Sequence, residues 1–300
     1  MTATEITTGD REARFSEFWK HRLESNIRVR QHIMRDWRLT LQAIGDLLSL
    51  QRLELNVSSS SGGLMIEQSL RRSVFGVFTL AQTGACVLSV PKVSGEYSLG
   101  ASKQTLRRKS RSAEKSGIAC RVINDEIEQI NLIGQLDSAL VSKADLRYRN
   151  SHADHRFLVG VGLWSVAYGQ NGEPLVIAVV PREGTWALLR LFISLGQTPQ
   201  HSDARYLLTQ FVVERLSHEG VQHLVDTVGP SELTAGLQHF QRMLGFRIAR
   251  VKFIHDARPW SIKNAGKILK VIYRAIAYNN RPGFAEIAGS IAHDAAVTKS

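Results

Sequence analysis

Apolar residues recur at helical spacing near the start of the chain: Phe15, Phe18, Trp19, Leu23 and Ile27, then Leu39, Ile44, Leu47 and Leu48. This period predicts helical structure from about residue 15 to residue 55. The run Ser58-Ser59-Ser60-Ser61-Gly62-Gly63 reads as a loop. The uncharged stretch 73–91 is interrupted by Gln82-Thr83-Gly84, which reads as a turn. It reads as two buried strands, 74–80 and 85–90, rather than a membrane span. Ser102 opens a helix expected over 103–116, with Gly117 where a C-terminal cap belongs. A strand over 118–123 and a helix over 126–140 follow. The polar stretch 143–155, with Arg147, Arg149, His152 and His155, marks the expected boundary between an N-terminal region (1–150) and a C-terminal domain (151–300).

The second half alternates more clearly. Stretches 157–163 and 164–168 are strand-like, and Gly169-Gln170-Asn171-Gly172 is a hairpin turn, since Asn-Gly accepts positive backbone angles. Strands over 175–180 and 186–195 come next, then a loop over 196–202. The helix expected over 203–219 has Ser202 or Asp203 as its cap, an apolar face of Leu208, Phe211, Val212 and Leu216, and Gly220 as its stop. A short strand ends at Asp226. Ser231 is the expected cap of a helix bearing Leu233, Leu237, Phe240 and Leu244; Gly245 ends it, with Phe246 closing over its last turn. A last strand spans 246–254, and a basic helix is expected over 261–278. The pattern is that of a mixed α/β (α+β) fold.

Charge adds to this picture. The chain has 300 residues, a net charge of +11 and a pI near 9.9, a balance that attracts polyanions. The helix at 103–116 carries Lys103, Arg107, Arg108, Lys109, Arg111 and Lys115 against Glu114 as its only acid. The i,i+4 pairs Lys103/Arg107, Arg107/Arg111 and Arg111/Lys115 repel by a few tenths of a kcal/mol each. Lys103, Arg107, Arg108 and Arg111 are therefore candidate ligands for phosphates of tRNA or another polyanion; the alternative is a solvated face. No aromatic residue interleaves them, so base stacking is not suggested. The segment 261–278 has an apolar side of Ile262, Ile268, Leu269, Ile272, Tyr273 and Ile276. It either docks on the domain with a wet basic face or lies on an anionic membrane as a peripheral contact.

Cys86 and Cys120 stand far apart in no metal-ligand spacing, so neither a disulfide framework nor a metal site is expected, and a reducing cytoplasm fits best. The polar stretch 1–14 has no apolar run of the kind a secretion signal needs. No P-loop, GxGxxG after a strand, HExxH or GxSxG is present.

From 157 to 254 the order is hairpin, long strand, loop, helix, short strand, helix ending in Leu244-Gly245-Phe246, strand. This order, with Ala204-Arg205-Tyr206-Leu207-Leu208 and Phe240-Gln241-Arg242-Met243-Leu244-Gly245-Phe246, resembles the GNAT acyltransferase superfold. Ser102-Lys103-Gln104-Thr105-Leu106-Arg107-Arg108-Lys109-Ser110-Arg111-Ser112-Ala113-Glu114-Lys115-Ser116-Gly117-Ile118 is similar to a helix of the Fem-type aminoacyltransferases, and Val225-Asp226-Thr227-Val228-Gly229 is similar to one of their turns. The resemblance implies a central mixed sheet flanked by helices, with a smaller or degenerate first half. It implies transfer of an acyl or aminoacyl group, from acyl-CoA or aminoacyl-tRNA, to an amine acceptor. Gln200, His201, Ser202, Asp203, Ala204 and Arg205 would line the donor site, and Asp226 and His239 are the candidate catalytic residues. Two departures stand out. The usual glycine-rich turn is missing at 200–205, and Gln241 stands where many members carry a tyrosine that protonates the leaving thiolate. Both departures suit the alternative of a non-catalytic protein of this fold that binds nucleic acid or an anionic membrane surface.

Overall fold

In the computed structural model, which describes residues 7–25, 31, 35–74, 78–142 and 154–255, two helices lead the chain: α1 (Thr8–Ser25) and α2 (Trp37–Ser49). Phe15 and Trp19 of α1 meet Ala43, Leu50 and Ile248 in a small apolar cluster. The Arg14 guanidinium satisfies the buried Asp46 carboxylate of α2 at 2.5 Å. Helix does not continue to residue 55. Strand β1 (Arg52–Val57) follows, with Leu55 and Val57 inward and Glu54 and Asn56 outward. This period of two is hidden in the sequence by the helical run just before it.

The serine run is not simply a loop. Ser60 caps α3 (Ser61–Arg71) by accepting the Gly63 N–H at 2.9 Å, and Gly62 and Gly63 lie inside that helix. Of the strand expected over 74–80, short β2 (Ser73–Val74) and β3 (Phe78–Thr79) are seen. Leu80 instead starts the one-turn helix α4 (Leu80–Thr83), held by a capping box between Thr79 and Gln82. Strand β4 (Ala85–Ser89), helix α5 (Gln104–Lys115), strand β5 (Ala119–Val122) and helix α6 (Glu126–Val141) follow as the pattern predicts.

Residues 157–163 are not a strand. A 3₁₀ turn (Arg156–Leu158) and positive φ at Gly160 and Gly162 reverse the chain, and the Trp164 indole N–H donates to the Leu158 carbonyl at 3.1 Å. Strands β6 (Leu163–Tyr168) and β7 (Pro174–Val180) form the expected hairpin. Then come β8 (Arg182–Glu183), β9 (Trp186–Leu189), β10 (Leu191–Ser194), α7 (Pro199–His218), β11 (His223–Asp226), α8 (Ala235–Leu244) and β12 (Arg247–His255).

The result is a mixed α/β protein. A six-stranded sheet has the order β1-β12-β4-β11-β9-β8, and a four-stranded sheet the order β10-β7-β6-β5. Strand β4 sits between β11 and β12, antiparallel to both, so residues 85–89 complete a sheet built mostly from the second half. Helices α5 and α7 pack together over the largest apolar cluster, where Leu106, Ala113, Ala204 and Leu208 are fully buried. Residues 143–153 and 256–300 lie outside the described residues, and with them most of the 143–155 stretch and the helix expected over 261–278. Among the described residues no helix is long and apolar enough to cross a membrane, and no group of three or more His, Cys, Asp or Glu is placed to hold a metal ion. Cys86 and Cys120 are free thiols.

Candidate functional site

The site is built where two neighbouring strands part. β9 and β11 run parallel from the pair Trp186–His223 to the pair Leu189–Asp226. At Arg190 the backbone N–H turns to the carbonyls of Val179 (3.1 Å) and Leu188 (2.8 Å), and the chain steps across to pair β10 with β7. β11 ends at Asp226, so the two strands part beyond Leu189 and Asp226, where the Thr227 hydroxyl donates to the Leu189 carbonyl at 3.5 Å.

β10 is the edge of its sheet. The Leu195 N–H donates to the Leu175 carbonyl at 2.9 Å, which fixes the hydrogen-bonding parity of the ladder. Leu191 and Ile193 bond to β7, and the N–H and C=O groups of Phe192 and Ser194 point to the open side. Ser194 Oγ is buried and, among the described residues, has no hydrogen-bond partner.

Asp226 stands where the two strands part. Its Oδ1 accepts the Val228 N–H at 2.9 Å and its Oδ2 accepts the Gln241 amide at 2.6 Å. Burial raises the carboxyl from 3.8 to about 6, against the opposing pull of these hydrogen bonds and of the Arg72 charge. Arg72 also donates to the Thr227 carbonyl at 3.1 Å and pairs with Glu232. Burial, with the Asp226 charge second, raises the neighbouring Cys86 thiol well above its ordinary value.

Gln241 is thus the clamp on Asp226. It is 6% exposed and lies in the last turn of α8. Gly245, at φ 94°, closes that turn in the expected Schellman pattern: Phe246 N–H donates to Gln241 O at 3.0 Å and Gly245 N–H to Arg242 O at 3.1 Å. The helix cap is Thr234, not Ser231, which is buried with its hydroxyl unpartnered among the described residues. His239 is exposed, about 200° around the helix from Gln241. The structure therefore does not bring His239 to Asp226.

Residues 200–205 are not a loop. α7 starts at Pro199, with Thr198 at its N-cap, so Ser202 and Asp203 lie inside the helix rather than capping it. Proline at the first helical position has the right φ and no N–H to leave unpaired. Gln200 and Ser202 are exposed, Asp203 and Ala204 buried. The Asp203 carboxylate meets Lys109 of α5 at 2.6 Å, so its charge ties two helices together. His201 Nδ1 lies 2.8 Å from Thr198 Oγ1, and burial lowers its imidazole pKa. Its ring fills the hollow over Gly196, where a Cβ would fall 2.5 Å from ring atoms. The Arg205 guanidinium lies 4.1 Å from the Phe240 ring centre and 5.7 Å from that of Phe192, with Tyr206 edge-on to Phe240.

Pro199 offers no N–H at the start of α7, and the His201 ring occupies the space above Gly196.

The basic helix α5 divides into two sets of cations. Lys103 donates to the Leu244 carbonyl, lies 4.1 Å from the Tyr97 ring centre, and is pushed down to about 8 by burial. Arg107 donates to the carbonyls of Ser98 (2.6 Å) and Gly100 (2.7 Å). These two hold the helix in place. Arg108 and Arg111 are exposed and, among the described residues, have no hydrogen-bond or ion-pair partner. Leu106, Ser110 and Ala113 form a narrow buried face. Sequence reasoning missed Phe192, Ser194, Arg72 and the role of Gln241; the signal for Phe192 and Ser194 is the break in an apolar strand at Arg190, visible as a charge within 186–195.

No protein-family model matches the sequence, and no curated protein matches it. Several solved structures are similar in shape, among them these two. One is L-PGS from Bacillus licheniformis, 14% identical with a TM-score of 0.41, covering 62% of this chain and 63% of that one. The other is the C-terminal domain of a protein assigned as a lysylphosphatidylglycerol synthetase from Agrobacterium fabrum, 12% identical with a TM-score of 0.39, covering 55% of this chain and 58% of that one. The chain thus spans less than two thirds of the length of either.

Proposed function

We propose that the chain is an aminoacyl-transfer domain that holds an ester donor, of the aminoacyl-tRNA class, between β10 and β11 and passes its acyl group to an amine acceptor. The observation that carries this reading is the parting of the strands at Leu189 and Asp226, which leaves the Phe192 and Ser194 backbone on a sheet edge that is unpaired among the described residues, with a half-buried carboxyl where the strands part. Free N–H groups on such an edge polarise an acyl carbonyl and hold it for attack.

A carboxyl near 6 is a carboxylate at neutral pH and still basic enough to take a proton. In the step proposed, the neutral amine nitrogen bonds to the acyl carbon, Asp226 accepts the proton the nitrogen loses, and the acyl–oxygen bond breaks. The ribose oxygen that departs takes that proton back from the Asp226 carboxyl and leaves as the hydroxyl. Gln241, where the resemblance leads one to expect a tyrosine acid, positions the base instead. The missing glycine-rich turn and the His201 ring over Gly196 support the ester donor over acyl-CoA, as does the resemblance of residues 102–118 to the Fem-type helix.

The test is transfer of a radiolabelled aminoacyl group from charged tRNA to amine acceptors. The wild type transfers it, and Asp226→Asn loses roughly 10²- to 10⁴-fold in turnover with donor binding retained. Transfer that is unchanged in the variant sinks the role of Asp226, and transfer from acyl-CoA alone sinks the donor class.

The exposed Arg108 and Arg111 favour a second reading, polyanion binding without chemistry. Salt-dependent tRNA binding by a protein that transfers nothing would establish it.

A further inference from the structure

Helix α2 presents an apolar stripe that nothing among the described residues covers. Trp37, Leu41, Ile44 and Leu48 are 55%, 58%, 47% and 59% exposed. Their spacing of four, three and four residues places them within an arc of roughly 60° on one side of the helix. The buried side is a different one, formed by Ala43 and Asp46. Single exposed apolar residues are common, but four in one continuous line mark a contact surface. Their spacing is that of a two-heptad seam, the pattern by which one helix receives another.

The chain carries a sequence of matching pattern. Ile262, Ala265, Leu269, Ile272 and Ile276 follow at spacings of three, four, three and four. On a helix they share one side, and Lys263, Lys267, Lys270 and Arg274 fall on the opposite side. The lengths agree as well. The stripe from 37 to 48 runs about 16 Å at helical rise, and 262–276 about 21 Å.

The point of departure agrees too. β12 ends at His255, paired with Val57 of β1, and β1 begins directly after α2. The junction between α2 and β1 lies about 20 Å back along that strand. The residues 256–262 span up to about 24 Å when extended.

We propose that segment 261–278 docks on α2, its apolar seam against Trp37, Leu41, Ile44 and Leu48, with its basic side turned outward. Docking within one chain draws on a high effective concentration, so a short seam is enough. This assignment stands apart from the transfer chemistry. It chooses between the two fates that the sequence leaves open for this segment.

The experiment is cross-linking in the full chain. Ile44→Cys is paired with Leu269→Cys, the middle of each seam, so that contact does not depend on helix direction. Cys120→Ser removes the accessible native thiol, and Cys86 is buried. A short bismaleimide should join the pair within one chain roughly tenfold more efficiently than the control pair Ile44→Cys with Lys267→Cys. Circular dichroism checks that each variant folds. Equal yields from the two pairs overturn the proposal. Cross-links between chains assign the stripe to a second copy and also overturn it. So does loss of binding to anionic phosphatidylglycerol vesicles in Leu41→Lys/Leu48→Lys, with no cross-link formed in the Ile44→Cys/Leu269→Cys chain, because the stripe then belongs to a lipid surface.

Discussion

Asp226→Asn should make the protein more stable near neutral pH while abolishing its chemistry. The substitution keeps the size and shape of the side chain and removes its charge. The carboxamide oxygen that replaces Oδ1 can still accept from Val228. Gln241 can turn its amide end for end, so that its oxygen accepts from the new carboxamide N–H, and both contacts are preserved. What disappears is the cost of burying a charge. Burial raises the carboxyl from 3.8 to about 6, so the folded chain keeps a proton that the unfolded chain releases. Stability therefore falls as pH rises between those two values, by up to about 1.4 kcal/mol per pH unit, and the penalty is complete above the folded value. A shift of about two units amounts to about 3 kcal/mol. Urea unfolding of both proteins, from acid to slightly alkaline pH, measures it. The difference between them should move by about 3 kcal/mol in favour of the variant across that window, because every other titrating group cancels. Two stability curves that stay parallel across the window would refute the buried, raised carboxyl on which the site depends.

Arg108→Ala with Arg111→Ala should leave urea stability within about 0.5 kcal/mol of the wild type. The same variant should lower the salt slope of tRNA binding by between one and two, read from titrations at several salt concentrations. Gly62→Ala should destabilise by more than about 2 kcal/mol in the same unfolding assay, since its Cβ would fall 1.9 Å from the Arg182 carbonyl oxygen. Ser110→Ala should be neutral or stabilise by about 1 kcal/mol, because it deletes a buried hydroxyl with no partner among the described residues.

Elements whose residues face one core along their whole length were legible in the sequence. α5, α6, the β6–β7 hairpin and the Gly245 cap all follow from local period and turn chemistry. Elements defined by distant partners were not. β1 reads as the tail of a helix because its parallel mate, β12, lies about two hundred residues away in sequence, and only that pairing makes its alternation meaningful. The start of α7 was legible in principle, since Pro199 after Thr198 is a strong first-turn signal. It was obscured by Asp203, an equally good capping residue whose carboxylate goes to Lys109 instead.

The site divides in the same way. Asp226 could be picked out as a carboxylate at a strand end. That Lys103 and Arg107 donate to backbone carbonyls depends on loops that no local pattern brings to α5. Gln241 read as the loss of an acid because its partner, Asp226, stands on another element.

The central claim is that the backbone freed at the strand split holds the acyl donor. Nitrogen-labelled protein titrated with a non-hydrolysable amide analogue of an aminoacyl-adenosine tests it directly. The account predicts saturable shifts in the backbone amide signals of Phe192 and Ser194, preserved in Asp226→Asn. Saturable binding that leaves both amides unmoved, or no binding at all, would contradict it.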